Sequence, residues 1–310
     1  MAVGGIACSP VHSLRRTGEK LVARRYDLHS HTTASDGTNA PAVNVRLAQE
    51  AGLDGLAITD HDTVAGVAEA VEEGRKLEVE VVPGVEISTV SGGRDIHVLG
   101  YYIDTEDALF RERLEQLRET RDLRNAMILD KLGELGLSVT LDEVLEQSRK
   151  RPGRDETVGR PHIAAVLVAK GYVADMQEAF DRYLASGAAA YVNPPRIRPE
   201  EAIDWIREAG GVPVLAHPGL YDDDALVQRL IDYGLKGIEA YHSDHAPETE
   251  RHYAAMAQRH GLIVTAGSDF HGSRGGVVFH APLGARSADA AVVAQLQAAS
   301  VHYERSHRST

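Results

Sequence analysis

Asp27-Leu28-His29-Ser30-His31 closes the first apolar run of the chain that reads as a strand. In an extended strand side chains alternate between faces, so His29 and His31 project to one side, roughly 6–7 Å apart. Two imidazoles on one side make poor core material and good first ligands for a transition metal. An isolated His-x-His is more often a pair of surface histidines. Here five later segments end an apolar run with the same kind of ligand: Thr59-Asp60-His61, Val85-Glu86, Ile96-His97, Ala216-His217-Pro218 and Ser268-Asp269-Phe270-His271.

Around these segments, strands and helices alternate. Pro41 to Ala51 reads as a helix closed by Gly52, Leu56-Ala57-Ile58 as a strand and Val64 to Leu77 as a helix. Val79 to Val82 leads into Gly84-Val85-Glu86, and Asp95 to Tyr102 makes a further strand. Gly92-Gly93 between them suggests a hairpin turn rather than a phosphate cradle, because no helix follows. After position 195 the pattern resumes: helix from Pro199, strand to Ala216, helix to Tyr233, strand to Tyr241, helix to His260, strand to Ala266, and a closing helix from Asp289. Repeated β-α units make a mainly parallel sheet. A barrel is favoured over an open sheet, because the candidate ligands sit at the C-terminal ends of many strands.

Between Glu106 and about Val192 the pattern is helical only. Phe110, Leu114, Leu117, Ile128, Leu132 and Leu135 follow helical spacing, with Arg121 and Arg124 in the gap of that stripe. Those arginines read either as a solvated turn or as phosphate contacts. Thr140 with Glu143, and Asp175 with Glu178, look like capping boxes. Gly159-Arg160-Pro161-His162 opens another helix, whose free N–H groups attract phosphate while Arg160 adds a bidentate contact. The expected organisation is a disordered extension over 1–24, a barrel built from 25–105 and 193–300, and a helical cap over 106–192.

Composition sets limits on partners. The formal net charge of the 310 residues is −13, which argues against general electrostatic binding to nucleic acid or anionic membrane. An anionic substrate then needs local positive charge. Cys8 is the only cysteine, so no internal disulfide forms and a reducing cytoplasm is the expected home. No stretch is long and apolar enough to span a membrane, no basic leader precedes Cys8, and no obligate protein partner is implied. Neither a Gly-x-Ser-x-Gly elbow nor a Walker loop is present.

His29-Ser30-His31, Asp36-Gly37, Thr59-Asp60-His61-Asp62, Gly84-Val85-Glu86, His97-Val98-Leu99-Gly100, Ala216-His217-Pro218-Gly219 and Gly267-Ser268-Asp269-Phe270-His271, in this order, resemble the polymerase-and-histidinol-phosphatase (PHP) family. With the helical insertion, the chain looks like the branch of 3′,5′-nucleotide bisphosphate phosphatases and a related 5′-to-3′ exoribonuclease. The resemblance implies an α/β fold, a distorted seven-stranded β/α barrel carrying a small helical cap, around two to three divalent metals. It implies His29, His31, Glu86 and Asp269 about one metal, a bridging Glu86 with His97 and His217 about a second, and Asp36, His61 and His271 about a third. Three divalent ions against three carboxylates leave the site about three charges positive, which suits a phosphate ester. Mixed nitrogen and oxygen ligands fit manganese, iron or zinc without choosing among them, and manganese is the first expectation.

Other residues are expected near the chemistry. Asp60 reads as an orienter of an imidazole or as a helix cap, and Glu239 as buried support or a direct participant. His242 and His245 follow in a loop, His242 being expected to touch the substrate phosphate and His245 being the choice to protonate a leaving oxygen. Arg160, His162, Arg121 and Arg124 are expected to hold a second phosphate. The implied activity is hydrolysis of the 3′-phosphate of a 3′,5′-bisphosphonucleoside such as phosphoadenosine phosphate. The alternatives are exoribonuclease action on a short 5′-phosphorylated oligonucleotide, a histidinol-phosphate-type phosphatase, or a non-catalytic metal-binding module.

Overall fold

The structure, a computed structural model, describes residues 14–17, 20–148, 157–274 and 276–300. Its centre is a sheet of eight strands in the order β12-β3-β4-β5-β6-β7-β8-β9. These are β3 (Arg25–Asp27), β4 (Gly55–Ile58), β5 (Glu80–Ser91), β6 (Arg94–Tyr101), β7 (Val212–Leu215), β8 (Gly237–His242), β9 (Ile263–Gly267) and β12 (Ala288–Asp289). Leu28 N donates to Ala266 O at 3.1 Å and His31 N to Phe270 O at 2.8 Å, so the first and last long strands meet and the barrel nearly closes. β3 to β9 are the seven expected strands, and the two-residue β12 adds an eighth, antiparallel to β3.

The sheet departs from an all-parallel one at β6, which runs antiparallel to both β5 and β7. Gly92 and Gly93 explain this, because their φ angles of +58° and +77° form the tight turn that folds β6 straight back. β5 therefore runs on for twelve residues, and Glu86 lies in the middle of a strand rather than at its end. His97 is likewise internal to β6, with its Cα paired in register with Ser88.

The outer helices are α1 (Pro41–Glu50), α2 (Val67–Leu77), α7 (Pro199–Glu208), α8 (Asp224–Tyr233), α9 (Pro247–Arg259) and α10 (Ala290–Ala299). The helical segment contains α3 (Ala108–Glu134), α4 (Leu141–Ser148), α5 (Arg160–Ala169) and α6 (Met176–Ala179), which runs on as a π-turn over Phe180–Leu184. Asp107 caps α3, accepting from Phe110 N at 2.7 Å. Thr140 and Glu143 cap α4 reciprocally, at 2.8 and 3.3 Å. Asp175 caps α6, accepting from Glu178 N.

At 27 residues, α3 is long enough (about 40 Å) to belong to two cores. Phe110, Leu114 and Leu117 pack with Ile203 and Ile206 against the barrel. Ile128 and Leu132 pack with Ile163, Leu167 and Leu184 in a separate cluster. Arg121 and Arg124 lie between the two and are buried, so the solvated-turn reading does not hold.

Within the expected disordered extension, Leu14–Thr17 (β1) and Lys20–Ala23 (β2) pair as an antiparallel hairpin. Cys8 and the histidines at 12, 302 and 307, expected on the surface, lie outside the described residues. The remaining pair, β10 (Ser273–Arg274) and β11 (Val277–Val278), forms a short hairpin after the last ligand motif. Among the described residues no helix is long and apolar enough to cross a membrane.

Close approach of β9 to β3 sets the spacing of the site. A Cβ on Gly267 would lie 2.3 Å from His29 Cβ and 2.7 Å from Glu239 Oε1. Gly267→Ala is thus expected to destabilise the protein by about 1–3 kcal/mol, as overpacking does. The urea midpoint measures it, and an unchanged midpoint would show that the two strands can move apart freely.

Candidate metal centre

Nine side chains from seven segments converge where the strands end and where the β5–β6 hairpin crosses them. His29 Nε2 and His31 Nε2 are 3.2 Å apart. Each faces Asp269 Oδ1, at 3.3 and 3.2 Å, and Glu86 Oε2, at 3.5 and 3.2 Å. Glu86 Oε1 meets His97 Nδ1 at 2.8 Å and His217 Nε2 at 3.1 Å, while its Oε2 also meets His61 Nδ1 at 3.0 Å. Asp36 Oδ1 lies 3.2 Å from His271 Nε2, and its Oδ2 is 3.8 Å from His61 Nε2. All three groupings expected from sequence are brought together, with Glu86 shared between the first two.

The donor set fits divalent cations. His61 Nδ1, Glu86 Oε2, His97 Nδ1 and Asp269 Oδ1 are buried without a properly formed hydrogen bond. Folded proteins satisfy nine in ten or more of such groups, so lone pairs converging in this way mark where a cation belongs. Among the described residues five compact sets could each hold an ion, and three consist wholly of the expected ligands: His29, His31 and Asp269; His61, Glu86 and His97; and His31, Asp36, His61 and His271. Asp62, His217 and Asp269 adopt positive φ angles of 54°, 27° and 55°, strain of the kind that collects at functional sites.

A second layer of residues orients these donors. Glu239 accepts from His29 Nδ1 at 3.0 Å and from His217 N at 2.9 Å, so it is buried support for two ligands. Asp27 accepts from His29 N, Ser268 N, Ser268 Oγ and Gly284 N, tying the first ligand motif to the last. Asp60 touches no imidazole. Its carboxylate takes Thr32 N and Oγ1 at 2.7 Å and Ser35 N and Oγ at 3.1 and 2.5 Å, which shapes the loop bearing Asp36. It reaches His31 through Ser35 Oγ, 3.3 Å from His31 Nδ1, and its carbonyl accepts from Glu86 N at 3.2 Å.

Several sequence assignments change. His245 cannot serve as the proton donor, because Nδ1 donates to Ala240 O at 2.9 Å and Nε2 accepts from Gly219 N at 3.0 Å. Both ring nitrogens are spent on backbone. His242 turns inward, with Nε2 3.4 Å from Asp269 Oδ2, while its Nδ1 accepts from Asp244 N. His162 Nδ1 accepts from Gly159 N at 3.0 Å, a cap on α5.

The arginines form one buried group. Arg121 donates to Asp62 and Ser88 Oγ, and Arg160 donates to Asp95 at 2.7 Å and to Leu184 O at 3.1 Å. Arg124 lies 4.0 Å from Asp95, and its Nε has no hydrogen bond. Sequence reading missed Arg196, which also donates to Asp95, since its Pro-Pro-Arg context carries no motif. It missed His280 as well, whose Nδ1 meets Asp244 at 2.5 Å and Nε2 meets Asp269 Oδ2 at 3.4 Å. Only the β10–β11 excursion returns His280 to the site, and no local signal marks it.

Electrostatics show how the site behaves without metal. Burial pulls His31 down, but hydrogen bonds to Asp269 and Glu86 outweigh it and raise the pKa to about 10. Burial likewise opposes protonation of His29, yet Glu239, Asp269 and Glu86 hold it well above the usual value. Burial dominates at His61 and His217, both pushed down to about 4. Burial would raise Glu86, but His97, His61 and His29 keep it well below the usual carboxylate range. At neutral pH, therefore, His29 and His31 hold protons that a metal must displace, and affinity should rise with pH. Calorimetric titration of Mn²⁺ at pH 7 in buffers of different ionisation enthalpy should report release of about two protons per chain. No buffer dependence would contradict this. Asp269→Ala should lose bound metal together with turnover.

Comparison with known proteins agrees with this geometry. The PHP domain family matches residues 27–209. The chain is 39% identical over 253 residues to the 5′-3′ exoribonuclease Rnm of Escherichia coli (strain K12), covering 79% of this chain and 85% of the relative. It is 35% identical over 250 residues to the 3′,5′-nucleoside bisphosphate phosphatase of Chromobacterium violaceum, covering 79% of this chain and 86% of that one. A solved structure from Bifidobacterium adolescentis, described as a candidate metal-dependent phosphoesterase, superposes with a TM-score of 0.81 at 33% identity, covering 90% of this chain and 98% of that one. The chain belongs to the PHP domain family, among its metal-dependent phosphoesterases.

Proposed function

We propose that the protein removes the 3′-phosphate of a 3′,5′-bisphosphonucleoside, such as phosphoadenosine phosphate, to leave the 5′-nucleotide. The observation that carries this reading is the buried arginine group. Among the described residues, Arg121, Arg124, Arg160 and Arg196 pair with two carboxylates, Asp62 and Asp95. Two positive charges are left over where burial makes them costly. Burial first, then Arg160 and Arg121, pushes Arg124 well below its usual pKa. A phosphate, carrying about two negative charges at neutral pH, offsets such an excess. The group adjoins the metal centre: a Cβ on Gly159 would lie 3.5 Å from Asp36 Oδ2 and 3.6 Å from an Arg121 terminal nitrogen.

One phosphate then lies against the nine ligand residues and the other against the arginines. Divalent ions at the ligand residues, two or three per chain and manganese first among them, supply charge neutralisation and an acidified water. The chain's own residues do the positioning. Asp62 and Asp95 fix the guanidinium planes, while Glu239 and Asp27 hold the strand ends bearing the ligands. A histidinol-phosphate-type substrate would leave the arginine charge uncompensated. The cytoplasm is the proposed location.

A second reading is 5′-to-3′ exoribonuclease action on short 5′-phosphorylated RNA, supported by the 39% identity to the Escherichia coli relative. In both reactions the arginines would take the 5′-phosphate and the metals the ester at the 3′-oxygen. They differ in what hangs on that ester.

Kinetics on three substrates test both. Adenosine 3′,5′-bisphosphate should exceed adenosine 3′-phosphate in kcat/KM by at least about tenfold, roughly 1.4 kcal/mol. Arg124→Ala should abolish that preference with metal content unchanged, leaving the 3′-monophosphate rate as it was. Equal wild-type rates on the two nucleotides would sink the two-phosphate reading. Faster release of 5′-nucleotide from a 5′-phosphorylated dinucleotide would favour the exoribonuclease.

A further inference from the structure

Tyr221 stands behind the metal centre, and neither its sequence context nor any resemblance marks it. It follows a short 3-10 turn, Pro218–Leu220, just after His217, and it is only 6% exposed. Its phenol oxygen accepts from His97 N at 2.9 Å and lies 3.1 Å from His217 Nδ1. One hydroxyl therefore touches two residues that both face Glu86 Oε1. The tyrosine is itself anchored. Arg94 donates to its carbonyl at 2.5 Å and pairs with Asp223, and Gly219 N is tied to His245.

The chemistry of a ligating imidazole makes this placement consequential. A ring nitrogen that binds a metal must offer its lone pair, so the other nitrogen carries the hydrogen and needs an acceptor. His217 turns Nε2 toward Glu86 and the cluster, which leaves Nδ1 as the nitrogen that must be protonated in the loaded protein. A phenol oxygen has two lone pairs, one for His97 N–H and one for His217 Nδ1–H. We propose that Tyr221 is a positioning residue for the His97, His217 and Glu86 cluster. It holds His217 in the tautomer that presents Nε2 to a metal, and it fixes the β6 backbone at His97 in the same contact. The proposal rests on the reading of this cluster as a metal site and is independent of the substrate.

The test is Tyr221→Phe, which keeps the ring and removes the oxygen. Bound metal per chain is measured after loading with Mn²⁺ and desalting, and the affinity of each site by competition with a chelator. Wild type should retain more than one ion per chain. The variant should retain about one fewer, or bind that ion about ten- to a hundredfold more weakly. Melting of the chelated proteins separates a metal role from a structural one. The chelated variant should melt slightly below chelated wild type, by the loss of the His97 N hydrogen bond, while the loaded variant falls below loaded wild type by clearly more. Wild-type stoichiometry and affinity in the variant would overturn the proposal. So would an equal loss of melting temperature with and without metal, because Tyr221 would then serve the fold alone. Absence of metal from loaded wild type would overturn the metal reading itself, a result distinguishable from failure of the tyrosine alone.

Discussion

Glu86 is a carboxylate, 1% exposed, in the middle of a strand, with both oxygens turned into a ring of imidazoles. An isolated buried charge would cost more than a fold of this size can spare, so the surroundings must compensate it. Much of the site can be understood as that compensation. Five histidines face its two oxygens, drawn from four separate segments of the chain. Because the hub is mid-strand, partners can approach from the parallel strand ends on one side and from β6 on the other. The hairpin turn at Gly92-Gly93 makes the second approach possible, since it lays His97 across from Ser88.

Holding so many donors against one carboxylate requires that none of them rotate away. Here Glu239 works on His29, Asp60 works through Ser35, and Asp269 O accepts from His271 Nδ1 at 2.8 Å. Glu239, Asp60 and Ser35 are polar and buried, yet they belong to none of the three ligand sets expected from sequence. They account for an excess of buried polar side chains that would otherwise weaken a barrel core. Without metal, protons on His29 and His31 take over part of the compensation, which allows the folded chain to hold the site ready.

What the sequence reveals follows from how each residue is attached to its element. Most of the nine candidate ligands were legible because they lie beside an apolar run, and the run fixes where the side chain must emerge; Asp36, in a polar loop, was placed by the resemblance. His31 and Asp269 are examples. Glu86 and His97 were expected at strand ends and lie mid-strand, because an apolar run does not show where a β hairpin continues it. Arg121 and Arg124 looked ambiguous, since a gap in a helical stripe reads as solvent until a second helix covers it. His245 looked catalytic for its neighbourhood, and only the distances to Ala240 O and Gly219 N reveal a backbone pin. Asp60 misled for a similar reason: adjacency to His61 in sequence does not mean contact in space. Arg196 and His280 reach the site through long-range chain paths, and no local pattern encodes those.

The metal centre and the arginine group share covalent and hydrogen-bonded neighbours. Asp62 follows His61 directly, its backbone N donates to Glu86 O at 3.0 Å, and its carboxylate accepts from Ser88 N at 2.7 Å and from Arg121. Arg121 in turn reaches Ser88 Oγ, two residues beyond Glu86. Moving Arg121 by a fraction of an ångström must therefore disturb both the Glu86 strand and the loop that presents His61. Thr157 adds a further tie, donating from its backbone N to Ala34 O at 2.7 Å and from Oγ1 to His61 O at 2.7 Å. The helical segment thus does more than cover the barrel. Its arginines and the metal ligands are set against one another by the same few contacts, so the distance between an anion at one and an ester at the other is fixed by the fold rather than by a flexible hinge. On the proposed reading, a site built in this way would measure the length of its substrate, and that fixed distance would let an acidic chain select a small molecule carrying two phosphates.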